Sequence, residues 1–170
     1  DINKSFITDF KRHDRDLEKI LEEIIDPFFP KPLIGIGHSM GGCLMLSAFH
    51  NQPTKFAYGV LSAPMLGFKN EQFLRTASSL MNFFKKDTDY LIGSKPNMGK
   101  ETPFEENDLT TDRNRYIRTQ MLVKKRPSIR LWGVTNSFAN AVNKRFKVIR
   151  EKNWAENISL KILIINSIKD

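Results

Sequence analysis

A serine flanked by glycines, Gly37-His38-Ser39-Met40-Gly41, closes the apolar run Leu33-Ile34-Gly35-Ile36. A serine hydroxyl attacks a carbonyl well only when it is exposed, oriented and beside a base. This spacing supplies the first two conditions. A strand ending on the serine and a helix starting directly after it raise the hydroxyl on a sharp turn. The serine backbone then sits in a sparsely populated conformation, at a cost on the order of 1–3 kcal/mol. Two positions before and after the serine there is no room for side chains. Gly37 and Gly41 meet that need, and Gly42 lets the helix pack closer still. The Met40 N–H points to where a substrate oxygen gathers negative charge, as one half of an oxyanion hole, and the helix N-terminus adds a favourable dipole. The chemistry predicted is acyl transfer through a serine ester. An ordinary glycine-rich turn shares the bare pattern. The short apolar strand after Pro30 and Pro32, and the apolar segment 43–49 that ends near Asn51 and Pro53, favour the nucleophile.

Such a serine needs a sheet and helices to hold it. Residues 9–25 read as an amphipathic helix, with Phe10, Leu17, Ile20, Leu21, Ile24 and Ile25 at helical spacing and Asp26-Pro27 as its stop. A buried strand over 33–37, a helix over 40–51 and a strand over 58–62 form a βαβ unit, hence a parallel sheet. From about residue 65 the β-like runs stop for nearly ninety residues. Helices are expected over 71–84, 112–124 and 134–151, and a strand returns at 160–165. A helical insertion between strands of a parallel sheet is a cap over the carboxyl edge. The expected organisation is a core over 1–66, a helical cap over 67–155 and a return to the core over 156–170. The apolar row of 71–84 packs the cap or walls an acyl chain.

Composition narrows the function. A chain of 170 residues is about one domain, and 40% apolar residues with 13 Phe suffice for a core. No run approaches the ~20 apolar residues of a membrane-spanning helix. The one cysteine, Cys43, excludes an internal disulfide, fits a reducing, cytoplasmic compartment, and is expected to be packed rather than reactive. Residues 111–152 hold twelve Lys/Arg and two acids, a net +10, while the remainder nets −2. Such a segment is a solvated face, or a peripheral contact with an anionic membrane over 113–152. No nucleic-acid module accompanies it. Zinc-type ligand spacing and a dinucleotide fingerprint are both lacking, so no metal or organic cofactor is expected.

Several stretches in order resemble one family. Phe6, Phe10 and Asp16-Leu17 suit the helix before the serine strand. Gly37-His38-Ser39-Met40-Gly41-Gly42 and Leu61-Ser62-Ala63-Pro64-Met65 match the serine turn and the next strand. Asp108-Leu109-Thr110-Thr111-Asp112, with Tyr116 and Arg118-Thr119, resembles a cap stretch, and Leu163–Asp170 resembles the strand and turn of a catalytic acid. The chain resembles the α/β-hydrolase superfamily, in its lysophospholipase L2 and monoacylglycerol lipase group, also classed with the serine aminopeptidase S33 family. The resemblance implies an α/β fold with a helical cap, Ser39 as nucleophile, the Met40 N–H as oxyanion donor and Asp170 as catalytic acid. It implies a lysophospholipase or monoacylglycerol lipase, with a general carboxylesterase or aminopeptidase as alternative. The group's histidine follows the acid, and His13, His38 and His50 all precede Asp170. The base, the second oxyanion donor, the first strands and the last strand are therefore expected outside these residues, and a catalytically inactive fragment is the other reading.

Overall fold

Short apolar runs bounded by proline and small residues become strands here, and the amphipathic stretches between them become helices. The structure, a computed structural model, describes residues 3–68, 70–91, 101–107 and 109–166. The chain divides into two compact units, one of Asp9–Gln72 and Ala141–Asp170, the other of Asp1–Thr8 and Phe73–Asn140. In chain order the elements are β1 Lys4–Ser5, α1 Lys11–Ile20, β2 Leu33–His38, α2 Met40–Asn51 and β3 Phe56–Ser62. After them come α3 Glu71–Phe83, α4 Arg113–Lys125, β4 Gly133–Val134, α5 Asn136–Ile149 and β5 Lys161–Ile165. Five residues, Leu21–Ile25, continue α1 as a π-helical turn. No helix among the described residues is long and apolar enough to cross a membrane.

The unit that carries Ser39 is built on a three-stranded parallel sheet in the order β2-β3-β5. Its register sets Gly35 of β2 opposite Gly59 of β3. With no side chains, the two glycines leave a slot in the sheet, and the Phe49 ring of α2 fills it. A Cβ on Gly59 would lie 2.5 Å from Phe49 Cε2, and one on Gly35 would collide with the same ring and, at 2.5 Å, with Met45 Cε. Phe49 is fully buried, meets Phe56 edge-on at 5.1 Å, and centres a core with Leu21, Ala48 and Leu61. The ring thus draws α2 down onto the sheet and fixes the height of the turn that precedes the helix. Phe49→Ala is expected to cost about 3–5 kcal/mol in urea unfolding. A loss below about 1 kcal/mol would show that the slot collapses around the smaller side chain.

The strand expected to be buried is buried on one face only. Gly35 and Gly37 point inward, whereas Ile34 and Ile36 stand outward, Ile36 at 74% exposure. Strand side chains alternate, and the core that includes Phe49 of α2 and Leu17 of α1 gathers on the glycine face. Behind α2, Arg145 of α5 is buried, donating to Ser47 Oγ and to Asp14 Oδ2 and lying over the Phe10 ring. This side chain was expected on a basic surface. A guanidinium with two polar partners and a ring face can be buried, and periodicity does not report partners distant in the chain.

The other unit is held by a two-residue parallel ladder, Lys4 with Gly133 and Ser5 with Val134. Thr135 Oγ1 donates to Ser5 O at 2.8 Å and Ser137 Oγ to Ile7 O at 2.8 Å. Of the two, β4 falls in the stretch expected to be free of β structure, because a two-residue pair has no period to read. The segment before α4 is ordered by its own side chains. Asn107 Oδ1 accepts from the amides of Leu109 and Thr110, and Asp112 Oδ1 caps α4 by accepting from those of Asn114 and Arg115. The apolar row over 71–84 splits into two. Leu74, Ala77 and Met81 are half-buried, while Phe73, Leu80, Phe83 and Phe84 are exposed.

Candidate active site

At the carboxyl ends of β2 and β3 the chain turns sharply into α2. Ser39 sits at that turn with φ 51° and ψ −119°, a backbone region that non-glycine residues avoid. Three hydrogen bonds hold it there. The Ser39 amide donates to Ser62 O at 3.0 Å, and the Ser39 carbonyl accepts from the amides of Cys43 at 3.2 Å and Met65 at 2.9 Å. The loop after β3 is in turn tied to β5, since the Ala63 amide donates to Ile165 O at 2.7 Å. All three strands therefore brace one serine. Its side chain is exposed and does not cap α2, which leaves the hydroxyl available.

The glycines around Ser39 divide in a way that motif spacing does not reveal. A Cβ on Gly37 would lie 2.7 Å from Gly41 O, 2.7 Å from Gly42 Cα and 2.8 Å from Gly42 N, all of them backbone atoms. A Cβ on Gly42 would lie 2.8 Å from Pro64 Cβ. A Cβ on Gly41 would meet nothing within 4 Å. The expectation that Gly41 is needed for space is thus corrected: the crowded pair is Gly37 and Gly42, because α2 crosses directly over β2 and abuts the Pro64 loop. The Met40 N–H, at the start of α2, makes no hydrogen bond among the described residues. First-turn N–H groups are unpaired within a helix and suit an anion.

No histidine is placed at the serine hydroxyl. The His38 ring nitrogen Nδ1 donates to Ser62 O at 3.1 Å, the carbonyl that also holds the Ser39 amide. His50 stacks on Trp154 at 4.5 Å, with Nδ1 against Asn51 Oδ1. His13 lies edge-on to Phe10 at 5.3 Å. Asp170, assigned as the acid, and Asp108 of the cap stretch lie outside the described residues. Cys43, one turn into α2, is fully buried, and burial pushes its thiol up to about 11. A thiol so far from ionisation is no rival nucleophile near neutral pH. Among the described residues no group of three or more His, Cys, Asp or Glu could hold a metal ion.

Sequence reasoning missed two supports of this site. The Gly35–Gly59 slot for Phe49 arises only when two strands come into register. The Asp14–Arg145–Ser47 network joins residues more than ninety positions apart. A glycine inside each of two apolar runs, Leu33-Ile34-Gly35-Ile36 and Tyr58-Gly59-Val60, was the available signal for the first. Residues 3–170 of the chain match the family described as serine aminopeptidase, S33. No match is found among curated proteins.

Proposed function

The chain belongs to the serine aminopeptidase S33 family of α/β-hydrolases, and we propose that it is a serine ester hydrolase acting on a single-chain lipid through an acyl-enzyme on Ser39. One observation carries this reading: the strained Ser39 backbone, braced by three strands, with an exposed hydroxyl and beside it a Met40 N–H that has no partner among the described residues. Strain of this kind persists only where surrounding structure enforces it, and it clusters at reactive sites.

In the proposed reaction Ser39 Oγ attacks the ester carbonyl, and its proton passes to a histidine. The carbonyl oxygen becomes an oxyanion that accepts from the Met40 N–H. Collapse expels the alcohol, which takes the proton from the histidine. Water then attacks the acyl-enzyme by the same route and releases the acid. The three histidines of this chain are engaged elsewhere, and the histidine that serves as base in this reading is oriented by Asp170. That same engagement favours a second reading, in which the chain keeps the turn without turnover.

A lysophospholipid or monoacylglycerol is the substrate class we favour. The support for it is the stretch 108–112, with Tyr116 and Arg118-Thr119, which is the part of the chain resembling the lysophospholipase group. The test compares kcat/KM for a lysophosphatidylcholine, a monoacylglycerol, a short p-nitrophenyl ester and an aminoacyl p-nitroanilide. A single-chain lipid is expected to exceed the short ester by about 10-fold or more, since each methylene buried contributes about 0.8 kcal/mol. Cleavage of the anilide in preference to every ester would overturn the lipid reading in favour of a peptidase. Turnover of none would support the second reading.

A further inference from the structure

The twelve cations of residues 111–152 divide between the two units, seven before Asn140 and five after it. In each group some cations are paired, and Lys144, Lys147 and Lys152 form no ion pair among the described residues. Beyond Asn140, Arg145 is buried against Asp14, and Arg150 donates to both oxygens of Glu71 at 2.8 and 2.9 Å. On α4, Arg113 and Arg115 at the N-terminal end pair with Glu105 and Asp112. Arg118, Lys124, Lys125 and Arg126 form no ion pair among the described residues.

The inward face of α4 is defined by Tyr116, Gln120 and Val123. These are half-buried, with the Tyr116 hydroxyl donating to Thr102 O and its ring against Phe104 at 5.5 Å. Residues three and four apart share a helix face. On the outward face they fall into two neighbouring rows, Ile117-Met121-Lys124 and Arg118-Leu122-Lys125. Ile117, Met121 and Leu122 are 44%, 62% and 54% exposed. Cations in a last helical turn offset the helix dipole and need no partner. Three aliphatic side chains set among them in water have no such account.

We propose that this outward face of α4 docks the protein on a bilayer containing anionic lipid. The pattern matches a helix lying in a membrane interface, with aliphatic side chains at the acyl boundary and Lys/Arg at the head groups. A nucleic acid would use the cations but leave Ile117, Met121 and Leu122 in water, and no aromatic ring on this face is available for base stacking. The inference stands apart from the reading of Ser39, because its test measures binding without turnover.

The experiment is sedimentation of the full chain with phosphatidylcholine vesicles, with and without phosphatidylglycerol. Binding is expected to require phosphatidylglycerol and to fall as salt is raised. The triple variant Arg118→Gln/Lys124→Gln/Lys125→Gln is expected to bind more weakly on the order of 100-fold. The double variant Met121→Ser/Leu122→Ser is expected to bind about 10-fold more weakly to the same vesicles. Lys144→Gln/Lys147→Gln, which removes two exposed cations of the other unit, is expected to bind as the parent does. All these side chains are exposed, so an unchanged melting temperature checks that the variants fold. Failure of the parent to bind phosphatidylglycerol vesicles, or parent-like binding by the triple variant, would overturn the proposal. Parent-like vesicle binding by Met121→Ser/Leu122→Ser, with the triple variant losing duplex DNA and vesicles alike, would overturn it in favour of a polyanion surface.

Discussion

Ser39→Ala is expected to abolish ester hydrolysis, with a loss on the order of 10⁵-fold in kcat where the serine is paired with its base. The loss should appear in kcat and not in KM, because the hydroxyl makes the bond that defines the transition state and adds little to ground-state binding. The same variant should unfold much as the parent does. Alanine keeps the Cβ, so the strain at φ 51° remains, and the Ser39 side chain makes no capping bond that could be lost. Ser39→Gly separates the two properties. Glycine tolerates a positive φ, so this variant is expected to be inactive yet more stable by about 1 kcal/mol. A Ser39→Gly protein no more stable than Ser39→Ala would show that the backbone strain is not stored at this residue. Ester hydrolysis by Ser39→Ala at the parental rate would show that the chemistry lies elsewhere.

The second large effect contrasts two glycines that a motif treats alike. Gly37→Ala is expected to destabilise the protein by about 3 kcal/mol and to inactivate it as well. Its methyl would meet three backbone atoms of Gly41 and Gly42 within 2.8 Å, and backbone cannot rotate aside as a side chain can. To make room α2 must lift from β2, which carries the Ser39 carbonyl away from Cys43 and Met65. Gly41→Ala is expected to do the opposite. Its methyl projects into open space, and alanine within a helix is favoured over glycine by about 0.8–1 kcal/mol. Paired urea titrations and ester assays decide the matter. Equal damage from the two substitutions would show that the turn is spaced by both glycines, as the five-residue pattern alone suggests.

The contrast shows what was legible in this chain and what was not. The strand, serine and helix at residues 33–51 could be read because each has a local signature: an apolar run, a glycine-flanked serine, then an apolar stretch ending at Pro53. The helices at 71–83, 113–125 and 136–149 were legible for the same reason. Gly41 was misjudged because spacing along a chain is symmetric about Ser39, whereas the approach of α2 to β2 is not. The slot that seats Phe49 was invisible because Gly35 and Gly59 become neighbours only through strand register. Ile34 and Ile36 read as buried because apolarity reports a preference for burial, and a strand has two faces. Arg145 read as surface because its partners, Asp14 and Ser47, lie far back in the chain. The ladder between Lys4–Ser5 and Gly133–Val134 is too short to carry any periodicity.

The central claim is that Ser39 is an activated nucleophile, and it can be tested without knowing the substrate. The protein is treated with a fluorophosphonate, digested and mapped by mass spectrometry, with Ser39→Ala alongside. The account predicts one adduct, on the hydroxyl of Ser39, and none on the variant. An adduct on another serine, equal labelling of both proteins, or no labelling of either would contradict it.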